Sequence, residues 1–301
     1  MGPYYYSQLG VTAGVIVNPV GSIIQSAINA YTYNRIDGAV NNQGTMNVDG
    51  NLRIYTSAAA SANTGTVNFT TPGNTLTYYN GTVNWNGGTL NFNTNGTLAF
   101  SSATFNWNGG ALTGTGLFSF ESSIANFNTA IMPAQPMYFN SSTLGSVLGG
   151  IANSKRITIN ASNTISANLN NTDTIFIDHQ SNSFTGTFTT SLSSVLDFRC
   201  ANYVGQLTFS NGWTNNGKIL LVGPYYYSQL GVTAGVIVNP VGSIIQSAVN
   251  AYTYNRIDRR RSGERLRRRT PAPARRATAR ASRRRPVAPA DSSSKGSGSS
   301  R

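Results

Sequence analysis

The octet Val83-Asn84-Trp85-Asn86-Gly87-Gly88-Thr89-Leu90 recurs 22 residues later as Phe105-Asn106-Trp107-Asn108-Gly109-Gly110-Ala111-Leu112. Short periods of this size are the mark of a chain that stacks on itself. Strands of a sandwich or barrel need not resemble one another, whereas solenoid coils are repeated because each lies on a near-identical neighbour. Within the octets, apolar residues alternate with Asn, and the same alternation puts Val67 and Phe69, or Leu98 and Phe100, on one face of a strand. The expectation is an all-β chain folded as a parallel β-solenoid. Trp85 and Trp107 lie one coil apart and are expected to stack, with Gly87, Gly88, Gly109 and Gly110 at corners that need positive φ. Asn side chains at equivalent positions are expected to form amide ladders.

A second, longer repeat surrounds the first. Residues 2–37 return as 223–258, with Val249 in place of Ile28 as the sole difference. One full period therefore runs from Gly2 to Val222, and the chain continues into the start of another. Met1 occupies the place of Val222, as a start codon read inside a repeat would place it, and the match ends at Asp258. These features read as a window on a longer tandem array. A solenoid cut mid-array leaves unpaired strands at both ends, so end-to-end self-association is expected.

Shorter apolar runs continue at intervals of about 8–12 residues after position 156, a spacing that fits strands. Residues 1–258 carry seven basic and seven acidic side chains, a net charge of zero. A surface this poor in charge is kept wet by hydroxyls and amides, which suit β faces and turns rather than helices. Val11–Ala30 is apolar but interrupted by Asn18, Pro19, Ser22, Gln25 and Asn29, which argues for short strands and against a transmembrane span. No basic-then-apolar signal peptide opens the chain.

The segments NNQGTMNVDGNLRI, VNPVGSII and GTVNWNGGTLNFNTNGTLAF resemble the strand repeats of large bacterial secreted surface proteins: autotransporter passengers and filamentous-haemagglutinin-type adhesins. The resemblance covers most of residues 1–258 and lies in composition and rhythm. It implies a right-handed parallel β-helix displayed outside the cell or on its surface. The role implied is structural or adhesive, with a carbohydrate or a neighbouring cell surface as partner.

Chemistry has little to work with. Asn171-Thr172-Asp173, followed by Asp178-His179, resembles one element of polygalacturonases, which leaves a carbohydrate-active β-helix enzyme as the alternative. The further carboxylates and the Gly-His-Gly and Arg-x-Lys elements of those enzymes are missing. One His and one Cys, His179 and Cys200, cannot build a transition-metal site, so neither catalysis nor a cofactor is expected. Tyr4-Tyr5-Tyr6 and Tyr225-Tyr226-Tyr227 are candidate sugar-stacking residues, set against a plainer reading as strand aromatics beside a corner.

Residues 259–301 hold fourteen Arg and Lys295 against Glu264 and Asp291, the whole of the chain's +13. Three accounts stand for this disordered basic tail. It binds polyanions such as nucleic acid through phosphates, without an aromatic to read bases. It is an unfolded terminus without a role. Or it is repeat DNA read in a shifted frame, since GC-rich codons for Gly, Ala, Thr and Asn then read as Arg, Ala and Pro.

Overall fold

The computed structural model describes residues 7–28, 33–56, 59–92, 95–129, 135–145, 150–179, 181–199, 203–223, 226–248 and 255–259. The chain divides into two units, Met1–Ser262 and Gly263–Arg301. The Arg-rich tail from 260 onward, Tyr4, Tyr5, Tyr6, Cys200 and Tyr225 lie outside the described residues.

The described chain is all strand and turn, and its ordered strand pairings are parallel. It is a parallel β-solenoid. A full turn lays down three strands, one on each of three faces, taken in chain order as first, second and third; the turn of Leu117–Glu121 and Ile124–Phe127 has no third-face strand among the described residues. The opening turn shows the scheme: 8–10 lies on the first face, 15–18 on the second and Ile23–Ser26 on the third. Asn34–Asn42 then serves the first and second faces of the next turn in a single strand, pairing with Leu52–Tyr55 through its start and with Ser61–Asn63 through its end.

Alternation decides which side chains fill the inside. In Thr66–Phe69, Val67 and Phe69 are fully buried while Thr66 and Asn68 look outward. Thr97–Ser101 buries Leu98 and Phe100 in the same way. The register sets like on like, so the interior is built of columns. Tyr78, Phe100, Phe120 and Phe139 stack along the first face with ring centroids 5.8, 5.2 and 4.9 Å apart. Trp85 pairs with Trp107, buried and stacked at 5.7 Å with 13° between the planes. Each buried aromatic contributes on the order of 2–3 kcal/mol by leaving water, and the columns form one continuous core.

The corners are columns too. At the turn from first to second face, Asn80, Ser102, Ser122, Ser141, Ser162 and Ser181 all have φ between 46° and 65°, the left-handed region. The residue after each of the four serines from Ser102 to Ser162 meets a side chain from the turn above. Ala103 N–H donates to Ser123 Oγ, Ser123 N–H to Ser142 Oγ, Ser142 N–H to Asn163 Oδ1 and Asn163 N–H to Asn182 Oδ1. Backbone donors that bend away from the ladder are thus satisfied inside the wall. At the second-to-third corner, Gly88 has φ +74°, and a Cβ there would lie 1.9 Å from Gly65 O. Gly110 stacks above it at the same corner with φ +118°, and Gly109 has φ +146°, but Gly87 departs from the expectation: its φ is not positive and a Cβ there would meet nothing, because the bend is made at Gly88 alone.

The long repeat acquires a geometry. Gln8 faces Arg35 and Gln229 faces Arg256, so both copies keep one local register. From Gln8 the first-face column runs Arg35, Arg53, Thr77, Ala99, Ser119, Tyr138, Thr158, Phe176, Asp197 and Leu220, ten steps of one turn each. Gln229, the counterpart of Gln8, pairs with Gln206 on the second face. Ile237–Val238 falls on the third face and Ile244–Ser247 on the first, each one face on from its counterpart in the first copy. One period of the sequence therefore occupies ten turns and a third.

Candidate functional site

Outward positions of the strands form polar ladders one strand apart. Asn106 donates to Asn84 at 2.8 Å and Asn126 to Asn106 at 2.8 Å on the second face. Beside them Asn108 donates to Asn86 at 2.7 Å and Asn128 to Asn108 at 2.6 Å. On the third face Asn68 donates to Asn47 and Asn91 to Asn68. Each amide satisfies its neighbour along the axis, so the wall is uncharged, ordered and hydrogen-bonding over several turns.

The first face interrupts this pattern with an aromatic and cationic patch. The register puts Tyr55 directly under Tyr79, and their rings stack at 4.6 Å with 7° between planes. Arg35 Cζ lies 4.3 Å from the Tyr55 centroid, and Arg53 Cζ lies 3.7 Å from Tyr33 and 5.8 Å from Tyr79. Arg35 is also held by Asp37, Nε to Oδ1 at 2.7 Å. The five side chains are half-buried, with their ring faces occupied by one another and by guanidinium planes. What they offer outward is ring edges, phenol hydroxyls and guanidinium N–H groups. Cation–π stacking on a half-buried ring fixes an arginine in place without neutralising it. None of these residues is among the sequence candidates. Their signal lies in Arg53-x-Tyr55 and Tyr79, one turn apart on the outward phase of two strands. The tyrosine trios are the more conspicuous feature of the sequence and mask it.

The sequence candidates fall in different places. Trp85, Trp107, Gly88 and Gly110 are in the wall and core. Tyr226 is exposed and Tyr227 half-buried beside Ser228–Val232. Asn171 is fully buried, where its amide accepts from Asn153 at 3.0 Å. Asp173 Oδ1 accepts the Thr174 N–H at 2.6 Å. His179 packs its ring against Tyr203, centroids 4.1 Å apart. Asp197 is buried between Phe176 and Leu220 in its column and paired with Arg199 Nε at 3.0 Å. Burial pushes its carboxyl above the usual range, against the opposing pull of Arg199 and Arg156. Among the described residues no three His, Cys, Asp or Glu come together as a metal-binding group, and no helix is long and apolar enough to cross a membrane.

No family model matches the chain, and no curated protein or solved structure does.

Proposed function

We propose that this chain is a rod segment of an extracellular or cell-surface repeat protein whose role is structural and adhesive, without catalysis. The observation that carries the reading is the wall itself. It is neutral, laddered with amides and hydroxyls, and interrupted on one face by the Tyr55–Tyr79 stack with its two arginines. A polysaccharide presents hydroxyls at intervals, and a ladder of Asn and Thr with amphipathic aromatic edges is a surface that can follow it. Arg53, stacked on rings, adds a preference for acidic sugars. The likeness of the repeats to autotransporter passengers and filamentous-haemagglutinin-type adhesins supports the same place and role.

Solid-phase binding of residues 1–301 to a panel of neutral and acidic polysaccharides tests it. Tyr79→Ala and Arg53→Ala are expected to reduce binding to the best ligand at least tenfold while leaving the β circular-dichroism spectrum in place. Full binding by both variants would remove the patch from the adhesive role. Hydrolysis of the bound polymer would overturn the non-catalytic reading in favour of a carbohydrate-active enzyme.

A further inference from the structure

The same repeated sequence is seen here twice, covered from opposite sides. Leu230 is 0% exposed, because Leu207 lies beneath it as well as Ile257 above, while its counterpart Leu9, which has only Ile36 above it among the described residues, is 54% exposed. Ile36 is 4% exposed beneath Ile54, while its counterpart Ile257 is 49% exposed. The first described turn thus presents core residues Leu9, Ile16 and Ile24 on one end face, and the last presents Ile237, Ile245 and Ile257 on the other. Among the described residues these are open strand ladders as well as open core.

We propose that the two end faces dock on each other between copies of this chain, head to tail, with two of the three strands stacked like on like. Residues 15–18 of the next chain lie over 236–239 of the one before it, Ile23–Ser26 over Ile244–Ser247, and 8–10 over 256–258. Three observations select this partner and this register. The wall already stacks near-identical segments, Thr82–Trp85 and Thr89–Leu90 on Thr104–Trp107 and Ala111–Leu112. The buried asparagine ladder has a fixed polarity, each residue donating to the next turn: Asn18 to Asn42, Asn42 to Asn63, and Asn215 to Asn239. Asn239 accepts from Asn215 and gives its amide nitrogen to Ser243 O at 3.2 Å, as Asn18 gives its own both to Asn42 and to Thr45 O, so an Asn18 docked on Asn239 with the same two-partner pattern would carry one ladder through the joint. Lastly, Gln8 would sit over Arg256 and Gly10 over Asp258, and Leu9 would close over Ile257 as Leu230 does from below.

The joint inherits the displacement of the repeat. Gln8 of the next chain lies two turns beyond Gln229, on the second face, so each chain is turned by one face relative to the last. Twelve turns and a third at about 4.8 Å each make a subunit repeat of about 59 Å.

The proposal rests on the fold and not on the adhesive reading. Its test uses the full chain at moderate salt, where the basic tail's repulsion is screened. Leu9→Lys disables one end face and Ile245→Lys the other. Sedimentation is expected to show wild-type chains growing with concentration, each variant alone monomeric, and an equimolar mixture of the two forming dimers and nothing larger. A monomeric wild type, growth of either variant alone, or a mixture that stays monomeric would overturn it. Electron microscopy of wild-type fibres gives a readout free of substitutions. A repeat of about 59 Å is expected, and one of about 50 Å, the ten turns and a third left when one copy displaces the other, would overturn the register.

Discussion

A non-glycine residue in the left-handed region costs on the order of 1 kcal/mol, and this chain accepts that cost six times in one column. Five of the six are Ser, the other Asn, short side chains that tolerate the conformation. The compensation is the residue that follows. Ser123 Oγ accepts the buried Ala103 N–H at 3.1 Å and donates to Glu121 O at 2.7 Å. Ser123→Ala is therefore expected to lower stability by about 1–3 kcal/mol in urea titrations, the cost of an unmet buried donor. Ser122→Gly, which relieves the conformation, is expected to be neutral or to stabilise by up to about 1 kcal/mol. If Ser122→Gly costs more than Ser123→Ala, the corner is held by something other than this hydrogen-bond column. The pairs Ser122-Ser123, Ser141-Ser142 and Ser162-Asn163 stand in the sequence once per turn, but Ser is abundant enough here to hide them. Asp197 makes a second residue-scale expectation. Its carboxyl is raised by burial, so the fold favours the neutral form. That contribution is complete below the ordinary carboxylate range and is lost as pH rises through the raised value. Asp197→Asn, which stays neutral, is expected to gain stability over wild type as pH rises from 4 to 7. A difference that does not change with pH would mean the charge is already well solvated.

At the scale of the element, the strand Thr82–Phe92 shows what was legible and what was not. Its octet repeat announced stacking, and the in-register Trp85–Trp107 pair is the physical reason the repeat persists. That one continuous strand passes around a corner from second to third face was not legible, because a glycine pair reads as a turn that ends a strand. Here Gly88 bends the strand at a place too crowded for a Cβ, and the ladder shifts register there and resumes at Thr89. Trp85 Nε1 is buried without a hydrogen-bond partner among the described residues, so its ring serves as shape alone. Trp85→Ala is expected to cost about 3–5 kcal/mol by opening a cavity against Trp107. Trp85→Phe, which keeps a ring and removes the unmet donor, is expected to cost under about 1.5 kcal/mol. Equilibrium unfolding followed by circular dichroism checks both; equal losses for the two variants would mean that the indole N–H is satisfied.

At the scale of the whole molecule, the duplication was plain in the sequence and its rotation was not. A uniform turn as long as the octet spacing would carry one period through very nearly ten whole turns and return the second copy to its own face. Real turns vary: the turn from Gln8 to Arg35 is half as long again as that from Arg35 to Arg53, the difference being absorbed at corners. Only pairing reveals that the sum is ten turns and a third, which in any longer array would bring the Arg53–Tyr79 patch to each face in succession. The same geometry makes a sharp statement about deletion. In a solenoid each turn touches its two neighbours, so stability is close to a sum over turns and interfaces. Deleting residues 86–107 joins Trp85 to Asn108 and removes one strand from every face. Thr66–Phe69 then meets 111–114, Thr75–Tyr79 meets Leu117–Glu121, and 82–85 meets Ile124–Phe127, with inward columns still inward. Gly110 comes to rest over Gly65, in the place Gly88 held. This shortened chain is expected to fold, with an unchanged β spectrum and one cooperative transition. Deleting residues 86–96 instead removes a third-face strand alone and moves every later strand onto the wrong face, so that chain is expected not to fold. Circular dichroism and thermal melts compare the two, and if both unfold alike the turns are not interchangeable units and the additive picture of this rod fails.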